Sequence, residues 1–142
     1  AAVREQTRGL KIQRVFCEEW GKPIIHSQSW IKELVEAAGG TFVGEAGKQT
    51  TAEAVRDAAP DVILAAWCGA GDRVPLEKII TQRNWKDTPA ARTGRVFCVS
   101  DELFNTPAET LVGGLKAIAW ALHPEMFPRP VGIRKIGEAR DV

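Results

Sequence analysis

The stretch TTAEAVRDAAPDVILAAWCG, Thr50–Gly69, decides the fold. Thr51 to Ala58 (TAEAVRDA) reads as a helix with Thr50 or Thr51 as its cap, and Pro60 marks its end. Asp61 to Ala66 (DVILAA) follows as a continuous apolar run, the pattern of a strand covered on both faces. Such a strand belongs in a sheet with helices above and below it.

The flanking sequence repeats the pattern. Arg14 to Glu19 (RVFCEE) is β-branched and aromatic, hence a strand. Ser29 to Ala38 carries apolar residues at Trp30, Ile31, Leu34, Val35 and Ala38, which is helical spacing, and Gly39-Gly40 stops it. Thr41 to Gly44 is a short strand. Pro75 suits the first turn of a helix running to about Arg83. Arg95 to Ser100 (RVFCVS) is another buried strand, and Pro107 to Leu122 a long apolar helix ending at His123-Pro124. Residues from Arg129 to Val142 have weak periodicity and read as a loose tail. Strand and helix alternate throughout, which implies right-handed crossovers and an α/β fold. The expected architecture is a three-layer αβα lobe around a parallel sheet of about four strands.

Composition fits one domain. The 142 residues are 44% hydrophobic and 26% charged, ordinary for a globular chain. A net charge of +1, with both signs interspersed, argues against a nucleic-acid partner. No uncharged apolar stretch approaches the roughly 18 residues of a membrane span. Ala1 to Arg8 is polar and helical, unlike a signal peptide. Cys17 and Cys98 sit inside apolar runs and read as buried core residues. No Cys/His spacing suits a metal, and no cofactor is expected.

Ligands of open parallel sheets gather at the carboxyl ends of the strands. That rule selects Glu18-Glu19-Trp20, Trp67-Cys68-Gly69 and Asp101-Glu102-Leu103-Phe104. Neither the one-glycine loop WGKPIIHSQS nor Gly69-Ala70-Gly71 makes a phosphate cradle. Glu18 and Glu19, adjacent on a strand, point to opposite faces and do not act as a carboxylate pair unless a bulge intervenes. Trp20, Trp67 and Phe104 suit a large, flat ligand, and Trp30 fits either the cleft or the core. Trp85 and Trp120 read as packing residues. A competing reading makes the chain a stand-alone flavodoxin-like enzyme domain, with Cys68 as nucleophile and His26 as its base.

Four segments together resemble the C-terminal lobe of BtuF-like, class III periplasmic binding proteins, the cobalamin and iron-siderophore type. They are RVFCEEWGKPIIHSQSWIKELVEAAGG (Arg14–Gly40), TTAEAVRDAAPDVILAAWCG (Thr50–Gly69), NWKDTPAARTGRVFCVSDELF (Asn84–Phe104) and LKAIAWALHPEMF (Leu115–Phe127). They fall in the family's order over most of Arg14–Phe127. The resemblance implies a solute-binding component of an ABC importer, without catalysis, located in the periplasm or otherwise outside the cytoplasm. A membrane anchor is one way of holding the full-length protein there. It implies a missing N-terminal lobe, with residues 1–10 ending the helix between the lobes, 11–127 forming the C-terminal lobe and 128–142 a tail. A metal chelate (corrinoid, siderophore or haem) and an ABC transporter permease are the implied partners. Glu18, Glu19, Trp20, Trp67, Cys68, Asp101, Phe104 and Asn105 fall in segments that match cleft-lining ones, and Trp30 is read with them as a ligand-binding residue. Glu53 matches a surface glutamate that docks onto the permease. The sequence departs from the family at Asn105-Thr106-Pro107, where many relatives carry a cleft arginine that grips anionic siderophores.

Overall fold

The computed structural model of the chain describes residues 12–67, 70, 73–100 and 110–138. Ala1–Thr7, Cys68, Gly69 and Asp101–Asn105, named above, lie outside the described residues. The elements run β1 (Gln13–Gly21), β2 (Ile24–His26), α1 (Ser29–Ala37), β3 (Gly40–Phe42), β4 (Gln49–Thr50), α2 (Ala52–Ala58), β5 (Val62–Ala65), α3 (Leu76–Gln82), α4 (Pro89–Arg92), β6 (Val96–Val99), α5 (Thr110–Leu122) and β7 (Ile133–Lys135).

The four expected strands form a parallel sheet in the order β3-β1-β5-β6. Side-chain alternation splits its faces cleanly. Val15 and Cys17 of β1, Val62 and Leu64 of β5, and Phe97 and Val99 of β6 join one cluster, with Ile31 and Val35 of α1 and Ile118 and Leu122 of α5. Phe16, Ile63, Ala65, Val96 and Cys98 point the other way, onto Val55 of α2, Leu76 and Ile79 of α3, and Trp85. Each central strand is therefore apolar on both sides, which is why DVILAA reads as an unbroken run.

The sheet is mixed rather than purely parallel. β2, β4 and β7 add antiparallel pairings to β1, β2 and β6 respectively. β1 runs on past Glu19 to Gly21 and turns through Lys22-Pro23, so the expected loop WGKPIIHSQS opens as a hairpin. The residues expected as a loose tail carry β7, whose Arg134 reaches back to donate to the Val74 carbonyl at 2.6 Å.

Caps fix the helix ends. Thr51 accepts from the Ala54 backbone N–H at 3.1 Å and so starts α2. The last carbonyls of α5 are covered from the sheet: Gln13 Nε2 donates to Leu122 O at 2.7 Å, and Arg95 Nη2 donates to Ala121 O and Leu122 O. His123 Nε2 donates to Ala38 O at 3.0 Å, tying the end of α5 to the end of α1. Trp85 is fully buried, as its packing assignment required. Its indole N–H donates to Ala52 O at 2.9 Å, and its ring meets Phe16 edge-on at 5.7 Å.

Candidate functional site

The carboxyl ends of β1 and β5 meet through side chains. Glu18 is only 1% exposed, yet both of its carboxylate oxygens are engaged. Trp67 Nε1 donates to Oε2 at 2.5 Å, and Arg83 Nη1 donates to Oε1 at 2.5 Å. Arg83 Nη2 also donates to Oε2 at 3.3 Å and to the Gly21 carbonyl at 3.1 Å. Burial pushes the Glu18 carboxyl up from its ordinary range, while the Arg83 guanidinium and the Trp67 N–H pull it back. The guanidinium lies over the Trp85 ring, 4.8 Å from its centroid. The Trp67 ring rests on Gly21: a β-carbon there would sit 2.6 Å from Trp67 Cζ2. Only glycine lets the strand approach the indole this closely.

The other expected residues take different places. The ladder shifts register between Glu18 and Trp20, a bulge at Glu19. Glu19 leaves the pair and accepts from Gln28 Nε2 at 2.8 Å. Trp20 stands on the hairpin, 46% exposed, with its N–H turned to Lys22 O. Trp30 packs against the α1–α5 cluster and Trp67 against the α2–α3 cluster, so the two indoles flank opposite faces of the sheet. Glu53 is exposed in the first turn of α2. Sequence reasoning missed Arg83 and Gly21. Arg83 lies just past the end of α3, where a basic residue reads as a partner of the helix dipole. Gly21 carried a usable signal, a glycine directly after a strand-end tryptophan.

His26 sits on β2 opposite Glu18. It is buried, and Nδ1 donates to the Lys48 carbonyl at 2.7 Å. A carbonyl only accepts, so Nδ1 carries the proton. The Nε2 edge lies against Gly44, where a β-carbon would come within 2.1 Å of it. Cys17 is fully buried, and burial pushes its thiol far above the usual range. No group of three or more His, Cys, Asp or Glu converges to hold a metal among the described residues. A groove of about 540 Å³, lined by Gln13, Arg95, Trp120 and Met126, lies at the opposite, amino ends of the strands. No helix of the described residues is long and apolar enough to cross a membrane.

At the carboxyl ends of β1 and β5, then, the Trp67 indole is held by a buried ion pair. The periplasmic binding protein family matches residues 1–103, and the chain belongs to it. That family is a substrate-binding one rather than a catalytic one. No curated protein sequence matches the chain. Among solved structures, the chain is similar to a periplasmic heme binding protein from Pseudomonas aeruginosa, at 16% identity and a TM-score of 0.77, covering 98% of this chain and 53% of that one. It is also similar to the periplasmic vitamin B12 binding protein BtuF of Vibrio cholerae, at 19% identity and TM-score 0.67, covering 87% and 49%. A periplasmic binding protein from Veillonella parvula matches at 21% identity and TM-score 0.71, over 87% and 46%. The chain thus spans about half the length of the solved structures it matches.

Proposed function

We propose that the chain is one lobe of the solute-binding component of an ABC import system. It captures a metal chelate (a corrinoid, haem or ferric siderophore) outside the cytoplasmic membrane and delivers it to the permease. The carrying observation is the pairing of Glu18 with Trp67, which sets an indole at the carboxyl ends of β1 and β5. Trp20, exposed on the hairpin, offers a second aromatic face. In this reading the second wall of the cleft comes from the other half of the two-lobed protein, so an isolated lobe binds weakly. Glu53, exposed on α2, is the contact to the permease, and Asp101, Phe104 and Asn105 complete the cleft. Heme and vitamin B12, which the Pseudomonas and Vibrio proteins are named for binding, are both large metal-bearing macrocycles, which suits tryptophan surfaces.

The test is a tryptophan-fluorescence titration of the two-lobed protein with cyanocobalamin, haemin and a ferric siderophore. Saturable quenching by one of them at micromolar concentration or below is the expected result. Silence toward all three would refute the chelate reading.

A further inference from the structure

Arg83 stands at the centre of a chain of contacts that runs from the core to the strand ends. Trp85, fully buried and anchored on Ala52 O, supplies the ring on which the guanidinium rests. From there Arg83 reaches two groups. One is the Glu18 carboxylate, which receives the Trp67 N–H. The other is the Gly21 carbonyl, in the strand segment on which the Trp67 ring lies. Both surfaces that hold the Trp67 indole are therefore held by one guanidinium.

Glu18 and Arg83 neutralise each other, and the Arg83 side chain is only 13% exposed. Neither offers a ligand a free charge. A carboxylate with two engaged oxygens holds its donors in a fixed plane, and a planar guanidinium fork is the partner that fixes the carboxylate.

We infer that Arg83 is the positioning residue of the binding wall: through Glu18 and Gly21 it presets the Trp67 indole, and it does not itself touch ligand. The inference rests on the solute-binding reading above. Lysine in its place keeps the charge but loses the fork, so Glu18 and Gly21 O are no longer held together. The indole then samples several orientations, and a ligand that needs one of them binds more weakly.

The test labels the protein with 5-fluorotryptophan and follows the fluorine resonances of Arg83→Lys, with Trp67→Phe assigning the Trp67 signal. Trp30 and Trp120 pack on the other face of the sheet and serve as internal controls. The expected result is a shifted or broadened Trp67 resonance with the Trp30 and Trp120 signals unmoved. Affinity for the chelate that quenches the unaltered protein should fall tenfold or more. Glu18→Gln keeps an acceptor for the indole N–H but loses the ion pair with Arg83, and should move the Trp67 resonance and weaken binding in the same direction. If Arg83→Lys unfolds the chain, Arg83→Gln replaces it, since it loses the guanidinium fork without burying an ammonium, and must give the same pair of effects. An unmoved Trp67 resonance, or a moved resonance with unchanged affinity, would overturn the inference. Failure of the unaltered protein to bind any chelate would instead sink the functional reading, and the resonances would still decide whether Arg83 holds Trp67.

Discussion

Gly44→Ala should be among the most damaging single-methyl additions to this chain. Two costs add at that position. Gly44 has φ +84°, and placing a side chain in left-handed backbone costs about 1–2 kcal/mol. The new methyl would also lie 2.1 Å from His26 Nε2, in a ring that Lys48 O and the Phe16 edge hold in place. Overpacking of that kind costs about 1–3 kcal/mol more. The sum, about 2–5 kcal/mol, is a large part of a stability of about 5–15 kcal/mol. With a urea slope of about 2 kcal/mol per molar, the unfolding midpoint should fall by about 1–2.5 M. Gly137→Ala is the control: its φ is +90°, but a β-carbon there meets nothing within 4 Å. It carries the strain alone, so its midpoint should fall by about 0.5–1 M. His26→Ala should partly rescue Gly44→Ala, with a coupling of about 1–3 kcal/mol in the double-mutant cycle, because the ring that the methyl strikes is gone. Equal midpoints for the two glycine variants, or no coupling to His26, would refute the reasoning. The same cycle would then reopen the question of what His26 does.

Three further expectations can be checked directly. Arg129 clamps Glu138 and holds its carboxyl down at about 2, well below 4.5, so the contact is at full strength above pH 4.5 and is lost as pH falls toward 2. Protection of the Ile133 and Lys135 amides, measured against the intrinsic exchange rate at each pH, should fall across that window, and Glu138→Gln should abolish the dependence; both partners are partly exposed, so the effect stays below about 1 kcal/mol. Cys17 and Cys98 are buried and should resist a thiol reagent in the native chain, then react on unfolding, as peptide mapping by mass spectrometry would show. Glu53→Arg should move the unfolding midpoint little, by about 1 kcal/mol or less from the helix dipole, yet stop import of the chelate in whole cells. Normal uptake by that variant would remove Glu53 from the docking role.

How much of this was legible in the sequence follows from length and locality. β5 and β6 announce themselves because every residue along them is buried, so no alternation interrupts the run. The strand-end rule found Glu18 and Trp67 although they are 49 residues apart, because it depends only on where strands stop. It did not find that they bond to each other. Arg83 was invisible for a different reason: its hydrogen-bond partners Glu18 and Gly21 lie 65 and 62 residues away, and nothing in the local pattern around Gln82 marks it. β2, β4 and β7 are three, two and three residues long, too short to show a period, and they exist because neighbouring strands offer free edges. The bulge at Glu19 is likewise a property of the β1–β2 pairing and not of either strand. His26 looked chemical because histidine can be; only the placement of Gly44 and Lys48 around it showed a ring used as a strut.

The hydrogen bond from Gln13 to Leu122 spans 109 positions of sequence. On a ribosome adding about 5–20 residues per second, β1 emerges some 5–20 s before the helix whose end it caps. Through that interval β3 and β5 can pair with β1 as they appear, but the face that α5 covers stays open to water and to other chains. That face of the lobe is thus sealed only after this interval, by a contact whose two halves are made far apart in time.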